Sequence, residues 1–264
     1  MLLAPFVYDG MQARLAEAAG FEAVYMTGFG TAAARGLPDL GFIGLAEMAA
    51  NARILSEAVA VPVICDADTG YGNALNAMRT VREVEAAGAA ALHIEDQVWP
   101  KRCGFFEGKQ VVPRAEMEAK VRAAVDARSD PDLVIIARTD ALQPEGWDAA
   151  EQRARAYREA GADLVFLDGI HSVEDLDVYA ERLHDLPCVY NGQLLTPREV
   201  EARGFRLQIH IGTLPVAWRA MRDALEELRR TGAVAETQDG RAFAELVEFL
   251  GVRDALERAS KYET

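Results

Sequence analysis

The sequence predicts an α/β protein built as a TIM-type (β/α)8 barrel with extra C-terminal helices. Three observations favour this fold class: short apolar runs alternate with amphipathic stretches along the whole chain, eight such runs are present, and polar residues recur where they end. The chain has 264 residues, half of them apolar, which is close to the size of a single barrel. We therefore expect one barrel domain over residues 1–264, with a helical extension over about residues 216–264.

The eight apolar runs are predicted to be the strands of one parallel sheet. Each is short, and most contain β-branched or aromatic residues, which is typical of strands that are buried on both faces. In chain order they are Pro5–Tyr8, Ala23–Thr27, Val61–Asp66, Ala91–Glu95, Val134–Arg138, Leu164–Asp168, Cys188–Asn191 and Leu207–Ile211.

The stretches between the strands place apolar residues three or four positions apart, which is typical of amphipathic helices. Three of them end at an Ala-Gly pair, at Gly20, Gly88 and Gly161, where glycine supplies a left-handed cap. The predicted helices are Gly10–Ala19, Leu45–Ala58, Ala74–Ala87, Arg114–Ala127, Trp147–Ala160, Ser172–Arg182, Val216–Arg230 and Arg241–Ser260. The last exceeds what barrel closure requires, so it packs either on a neighbouring subunit or as a cap on its own barrel.

Composition excludes several classes of partner. The net charge of -14, from 42 acidic and 28 basic residues, opposes binding to nucleic acid or to an anionic membrane. No apolar stretch approaches the roughly 20 residues that span a bilayer, and Met1–Pro5 lacks the charged start of a signal peptide, so we expect a cytoplasmic protein. The three cysteines are too few for a disulfide framework, and Cys65 and Cys188 lie in strands as small core residues.

Carboxylates cluster where the third and fourth predicted strands end. Asp66 and Asp68 are two positions apart and Glu95 ends the next strand, so all three face the same end of the barrel. Their mutual repulsion requires a cation or shared protons, and hard oxygen ligands favour Mg2+ or Mn2+ over Zn2+. The alternative is a set of capping and salt-bridging carboxylates at loop starts. The sequence favours the metal site.

Three more residues are candidates for binding and catalysis at this face. His93 lies two positions before Glu95, where it either orients a ligand carboxylate or is an ordinary core histidine. Arg138 ends its strand and suits bidentate binding of a substrate carboxylate, with a plain salt bridge as the alternative. Cys103 lies in the glycine-containing loop 100–109, which is typical of a lid, and its two cationic neighbours favour a thiolate that exchanges protons.

The glycines after the second predicted strand partly match a dinucleotide-binding pattern. That pattern requires an acidic residue at the end of the next strand, about 20 residues later, whereas the next strand here ends near Asp66. A nicotinamide enzyme is therefore disfavoured. The backbone amides of Thr27 and Gly28 are instead candidates to bind a small carboxylate.

Five ordered motifs resemble those of the isocitrate lyase and phosphoenolpyruvate mutase superfamily, and they cover nearly the whole chain. The Lys-Arg-Cys-Gly motif is similar to that of the lyase branch, which includes methylisocitrate lyase and 2,3-dimethylmalate lyase. The five motifs are Gly36–Gly41, Asp66–Gly72, His93–Gln97, Lys101–Gly104 and Ala137–Ala141.

The resemblance implies two sets of site residues and an assembly. Ligands of Mg2+, partly through water, would be Asp39, Asp66, Asp68 and Glu95. Residues around a 2-oxo or 2-hydroxy acid would be Thr27, Gly28, Cys103, Gly104, Arg138, Asn191 and Arg219, with Cys103 and Gly104 on a mobile gating loop. The resemblance also implies a homotetramer whose C-terminal helices swap between subunits.

The chain departs from the lyase pattern at three places near the expected substrate. Phe105 stands where those lyases carry histidine, and Asp168, a further candidate for substrate binding, ends a strand where they more often have glutamate. The segment 191–197 is shorter than the glutamate-containing loop of the family. The resemblance therefore does not fix the substrate.

The resulting hypothesis is a Mg2+-dependent lyase that cleaves the C2–C3 bond of a small 2-hydroxy dicarboxylate of malate or isocitrate type. The products would be a 2-oxo acid and a carboxylate, with Cys103 protonating the enolate. The nearest alternative is an oxaloacetate decarboxylase or hydrolase with the same metal site. A phosphonopyruvate or phosphoenolpyruvate mutase is disfavoured by the Lys-Arg-Cys-Gly motif. A silent metabolite-binding barrel is disfavoured because the candidate catalytic residues are all present.

Overall fold

The computed structural model describes residues 1–104 and 106–262, and its strands close into one parallel barrel. The order around the barrel follows the chain, and the first strand pairs with the last, with Leu2 opposite Leu207. The strands are Leu2–Val7 (β1), Val24–Met26 (β2), Val63–Asp66 (β3), Ala91–Glu95 (β4), Val134–Thr139 (β5), Leu164–Leu167 (β6), Cys188–Asn191 (β7) and Leu207–His210 (β8). The predicted (β/α)8 fold is confirmed.

Helices follow the strands in the order that the sequence predicts. Gly20, Gly88 and Gly161 end three of them with φ of +90°, +92° and +110°, as expected for left-handed glycine caps. The helices are Gly10–Ala18 (α1), Gly28–Ala33 (α2), Leu45–Ala58 (α3), Ala74–Ala86 (α4), Arg114–Ala127 (α5), Leu142–Glu145 (α6), Trp147–Glu159 (α7), Val173–Arg182 (α8), Pro197–Ala202 (α9), Leu214–Thr231 (α10), Arg241–Phe249 (α11) and Val252–Ser260 (α12).

The structure corrects the predicted boundaries of several strands and helices. The third strand begins at Val63 because Pro62 has no N–H to donate to a neighbouring strand. The second strand ends before Thr27, whose hydroxyl instead caps α2 by accepting from the Gly30 amide at 3.2 Å. The predicted helix Arg241–Ser260 is wrong as a single element, because Gly251 adopts a φ of +76° and separates α11 from α12.

Buried side chains form an inner and an outer apolar layer. The inner layer fills the barrel and includes Phe6, Tyr25, Ile64, Ile136 and Phe166, all at most 5 % exposed. The outer layer packs the strands against the helices. Because apolar residues occupy the barrel interior, the polar residues at the carboxyl ends of the strands are left to form a site above it.

The chain divides into two compact units at Leu214, close to residue 216, where the sequence predicts the extension to begin. The second unit carries many exposed apolar side chains for its size, namely Val216, Trp218, Met221, Leu225, Leu228, Phe243, Leu246, Leu250, Val252 and Leu256. A patch of this kind is typical of a protein interface. The helix-swapped homotetramer stays a prediction. Among the described residues, no helix combines the length and the apolar character needed to cross a bilayer.

Candidate active site

The carboxyl ends of the barrel strands surround a cavity of about 240 Å³. Most of the site residues that the sequence predicts line this cavity: Thr27, Asp39, Asp66, Cys103, Gly104, Arg138, Asp168 and Asn191. His93, Asp68 and Glu95 lie next to it and contact Asp66, Lys101 and Arg138 respectively. Arg219 lies on α10 in the second unit, so its assignment to the site stays a prediction.

Lys101 supplies a cation within the acidic cluster. Its Nζ lies 2.6 Å from Asp39 Oδ1 and 2.9 Å from Asp68 Oδ1, and all three side chains are at most 5 % exposed. Burial favours the neutral amine, but the surrounding carboxylates, Asp68 first, outweigh this effect and raise the pKa of Lys101 well above its ordinary value. Lys101 is therefore an ammonium that compensates part of the negative charge.

Asp66 is held in place by two backbone amides. Its Oδ2 accepts from Gly28 N at 3.1 Å and its Oδ1 accepts from Asp68 N at 3.0 Å. Burial favours the neutral acid, but the charges of His93 and Lys101 outweigh it and lower the pKa of Asp66 to about 2. The Gly28 amide, which the sequence assigns to a substrate carboxylate, is thus engaged by a protein carboxylate.

Two features around Asp66 bear on ligand binding. Thr27 N donates to Val7 O at 3.2 Å, so neither amide of the predicted carboxylate cradle is open toward the cavity. Binding of a substrate by these amides stays a prediction and would require displacement of Asp66 from Gly28. Asp68 has a φ of +47°, and burial raises its pKa to about 6.

His93 and Tyr25 form a hydrogen bond inside the barrel, with 2.6 Å between Tyr25 Oη and His93 Nε2. Burial raises the pKa of Tyr25 well above its ordinary value and lowers that of His93 to about 4. Near neutral pH both the phenol and the imidazole are therefore uncharged, and they share one hydrogen bond. His93 Nε2 also lies 3.4 Å from Asp66 Oδ1, so the ring is placed beside the acidic cluster.

Replacing Tyr25 by phenylalanine is expected to lower the free energy of unfolding by about 1–3 kcal/mol, because His93 Nε2 is left buried without its hydrogen-bond partner. Urea unfolding followed by circular dichroism measures this change. The same substitution at Tyr262, which is 86 % exposed, is the control and is expected to have no effect. Equal stability of the Tyr25→Phe variant and the parent would show that this hydrogen bond contributes nothing.

Arg138 is surrounded by carboxylates. Its guanidinium binds both oxygens of Asp140, with distances of 2.8 and 2.9 Å, and lies 2.5 Å from Asp168 Oδ2 and 3.3 Å from Glu95 Oε2. Burial raises the pKa of Glu95 well above its ordinary value, although Arg138 opposes this shift. The salt-bridge alternative for Arg138 is therefore present in the structure, and its binding of a substrate carboxylate stays a prediction.

The loop that carries Cys103 lies over the cavity. Cys103 is 8 % exposed, and its backbone N–H donates to Asp39 O at 3.2 Å. Gln97 fixes the preceding residue, because its side-chain amide donates to Arg102 O at 2.8 Å and accepts from Arg102 N at 3.0 Å. Phe105, where the sequence departs from the lyase pattern, lies outside the described residues.

The acidic residues are compatible with a divalent cation but are not arranged around one. Within the described ranges, no three His, Cys, Asp or Glu side chains have the arrangement of ligands to one metal ion. The reason is that Asp39 and Asp68 face Lys101, while Glu95 faces Arg138. The four predicted ligands nevertheless suit Mg2+, since all are buried carboxylates. Among the described residues, Glu95 Oε1 also has no hydrogen-bond partner.

Sequence reasoning missed several residues of the site. Lys101 and Asp140 lie inside two of the motifs, so the sequence contained a signal for both. Tyr25 lies two positions before Thr27 within the predicted strand Ala23–Thr27, and the alternation of strand side chains predicts that the two face the same side. The remaining missed residues that line the cavity are Phe6, Phe29, Phe106 and Ile211, which form apolar parts of its wall.

Comparison with known proteins agrees with the motifs. The family model described as phosphoenolpyruvate phosphomutase matches residues 1–229. The chain is 41 % identical to 2,3-dimethylmalate lyase of Eubacterium barkeri, with 100 % of this chain and 94 % of that protein aligned. It is 42 % identical to a probable 2-methylisocitrate lyase of Corynebacterium glutamicum, over 89 % of this chain and 78 % of that protein.

The fold also closely matches that of solved structures. Oxaloacetate acetylhydrolase in complex with the inhibitor 3,3-difluorooxalacetate superimposes with a TM-score of 0.93 and 40 % identity, covering 99 % of this chain and 92 % of that one. The match extends over the barrel, the motifs and nearly the full length. The chain therefore belongs to the phosphoenolpyruvate mutase and isocitrate lyase superfamily, as an enzyme of the carbon–carbon lyase type.

Proposed function

We propose that the enzyme is a Mg2+-dependent lyase that cleaves the C2–C3 bond of a small 2-hydroxy dicarboxylate of malate or isocitrate type. The products are a 2-oxo acid and a carboxylate. The observation that carries this proposal is a cavity at the carboxyl end of the barrel, which brings Cys103 and Arg138 together with Asp39 and Asp66. A thiol, a guanidinium and buried carboxylates are the groups that this reaction requires.

Asp39, Asp66, Asp68 and Glu95 would hold the metal ion, some of them through water. Mg2+ bound there would stabilise the negative charge on the C2 oxygen once its hydroxyl has lost its proton, before the C2–C3 bond breaks. The carboxylates have a second cation nearby, because Lys101 contacts Asp39 and Asp68. Lys101 thus lowers the net negative charge that the site presents to an anionic substrate.

Arg138 and Cys103 act on the two ends of the scissile bond. The planar guanidinium of Arg138 suits a substrate carboxylate, and the neighbouring Asp140 fixes its orientation with two hydrogen bonds. A carboxylate of the acidic cluster takes the proton of the C2 hydroxyl; as the C2–C3 bond then breaks, the C2 oxygen becomes a carbonyl and the electron pair remains on C3. Cys103 then transfers its Sγ proton to C3, and its 8 % exposure limits competition from bulk water.

The far end of the substrate lies against Asp168 and Asn191. Asn191 Nδ2 donates to Asp168 Oδ1 at 3.4 Å, and the other Asp168 oxygen pairs with Arg138. Phe29, Phe106 and Ile211 line part of the remaining wall. An apolar wall favours a small or alkyl substituent at C3, so malate and its methylated derivatives are the first substrates to test.

A substrate screen tests the reaction. Malate, methylated malates, isocitrate, methylisocitrate and oxaloacetate are each incubated with enzyme and Mg2+, and the appearance or loss of the 2-oxo acid is followed. We expect cleavage of at least one 2-hydroxy dicarboxylate. Turnover of oxaloacetate alone would replace the proposal by the hydrolase or decarboxylase alternative, and turnover of none would contradict both.

One observation favours that alternative, namely the TM-score of 0.93 with oxaloacetate acetylhydrolase. The same cavity, Arg138 and acidic cluster would serve oxaloacetate, and the role of Cys103 would change. The products separate the two reactions, since hydrolysis of oxaloacetate yields oxalate and acetate, whereas decarboxylation yields pyruvate and carbon dioxide. Product analysis of the oxaloacetate reaction therefore distinguishes them directly.

Removal of divalent cations by EDTA is expected to abolish turnover, and Mg2+ is expected to restore it. A second measurement is independent of activity: Mg2+ at about 100 times its Kd should stabilise the folded enzyme by about 2.7 kcal/mol, which raises Tm. Asp66→Asn should lose this Mg2+-dependent rise in Tm. The control is Asp148→Asn, whose side chain is 85 % exposed. An equal Mg2+ effect in the Asp66→Asn variant would contradict the assigned ligand.

A further inference from the structure

Lys109 is a buried lysine for which the reaction described above has no role. Its side chain is 2 % exposed, although it lies at the end of the loop that covers the cavity. Its Nζ donates to Gly104 O at 2.8 Å and to Asp140 Oδ1 at 2.9 Å. One ammonium group therefore joins the residue after Cys103 to a carboxylate that follows β5.

Asp140 connects this lysine to the substrate end of the site. It is fully buried and binds Arg138 through both carboxylate oxygens. Its backbone N–H donates to Asp96 Oδ1 at 2.9 Å, and Asp96 Oδ2 accepts from Thr139 Oγ1 at 2.7 Å. These contacts fix Asp140 at the end of the barrel. A group that binds Asp140 is therefore held at a fixed position relative to Arg138.

We propose that Lys109 is a positioning residue for the lyase reaction: it holds the Cys103–Gly104 segment over the cavity by linking Gly104 O to the carboxylate that orients Arg138. This inference rests on the proposed function. Lys109 and Arg138 share Asp140 Oδ1, with distances of 2.9 Å each, so displacement of the loop and displacement of the guanidinium are coupled. The proton donor and the cation that binds substrate thereby keep a fixed separation.

The burial of Lys109 supports a specific role for its charge. Placing an ammonium in a site that is 2 % exposed is costly unless acceptors replace its water, and Gly104 O and Asp140 Oδ1 do so. If the loop needed only one hydrogen bond at the protein surface to hold it, an exposed or uncharged side chain would suffice. The same network also explains why Asp140 binds two cations, Lys109 and Arg138, at once.

Lys109→Met tests the proposal, with Arg128→Met as the matched control. Arg128 NH1 also donates to one backbone carbonyl, Leu133 O at 2.9 Å, and to one carboxylate, Asp163 Oδ2 at 2.7 Å, but both acceptors precede strands at the opposite end of the barrel. We expect Lys109→Met to lower kcat by about 100-fold with a smaller change in KM, since displaced catalytic groups lose rates of that order. Arg128→Met should keep kcat within about twofold of the parent.

A second measurement does not depend on turnover. The rate at which iodoacetamide alkylates Cys103, measured by mass spectrometry of its peptide, is expected to rise by about 10-fold in Lys109→Met, because the loop that buries the thiol is released. Lys109→Arg should restore most of the parent's protection and kcat, since it keeps a charged donor. If the Lys109→Met protein does not fold, Lys109→Gln is used in both measurements, because its amide can donate to Gly104 O but does not neutralise Asp140.

Two results would overturn the inference: alkylation of Cys103 at the parent's rate, or a loss of kcat as large in Arg128→Met as in Lys109→Met. The alkylation result also separates this inference from the proposed function. If no hydroxy acid is cleaved but alkylation still accelerates in Lys109→Met, the positioning of the loop holds and only the assigned reaction fails. If cleavage occurs and alkylation does not change, the reaction holds and the role of Lys109 fails.

Discussion

Replacing Cys103 by serine is expected to lower kcat for cleavage of a 2-hydroxy dicarboxylate by about 10²–10⁴-fold, the range that a positioned acid or base contributes. The thiol is a stronger acid than the hydroxyl that replaces it, so the variant retains shape but loses proton transfer to C3. Because Cys103 is not a ligand to the proposed metal, KM should change much less than kcat. Steady-state kinetics with the substrate found by the screen measures both.

Cys188→Ser is the matched control for this substitution. Cys188 is also a buried thiol, but it lies in β7 and its Sγ contacts Leu183 O at 3.6 Å, away from the cavity. We expect it to change stability without a large change in kcat. Near-normal cleavage by the Cys103→Ser variant would refute the role of proton donor. Near-normal turnover of oxaloacetate alone by that variant would favour the hydrolase or decarboxylase alternative.

The fold could be predicted because its signals are local and repeated. Each apolar run followed by a polar residue and an amphipathic stretch indicates one β/α unit, and eight such units have one common solution. The predicted element boundaries are wrong where a single residue determines where a strand or helix begins or ends. Thr27 caps a short helix that glycines obscure, Pro62 shortens β3, and Gly251 interrupts a helix whose apolar pattern continues across it.

The sequence predicted where the site residues lie in the fold, but not which of them contact one another. Strand ends place Asp66, Glu95 and Arg138 at one face, and this follows from topology alone. Which cation faces which carboxylate depends on the path of the loop after β4, which the sequence pattern does not determine. Lys101 therefore occupies a place between Asp39 and Asp68 where sequence reasoning expects only a metal ion.

The charges around Lys101 and Arg138 indicate how a metal ion and a substrate would interact with the site. Asp39 and Asp68 contact one ammonium and Asp66 accepts from the Asp68 amide beside them, whereas Arg138 is shared by Asp140, Asp168 and Glu95. The first cluster therefore has more carboxylates than cations, whereas in the second Asp140 also pairs with Lys109. An added divalent cation would therefore reduce repulsion in the first cluster, and a substrate carboxylate would compete with protein carboxylates for Arg138 in the second.

Gly104→Ala is the second substitution with a large expected effect, because it tests whether the loop must lie this close to Arg138. A Cβ at residue 104 would overlap Asp168 Oδ2 and would lie 2.6 Å from Arg138 NH2. Neither group can retreat easily, since Asp168 and Arg138 are paired and buried. We expect the loop to be displaced instead, which lowers kcat/KM by about 100-fold and exposes Cys103 to alkylation.

Gly44→Ala is the control, because a Cβ there meets only Glu47 Oε2, at 3.5 Å, and Gly44 already has an extended φ of -120°. Both variants should keep a Tm close to the parent's, since a displaced loop relieves the overlap without disturbing the barrel. Full activity of Gly104→Ala with Cys103 still protected would show that the loop has room for a methyl group. The proximity of Gly104 to the Arg138–Asp168 pair would then be unnecessary for catalysis, and the proton donor would have to act from a more open loop.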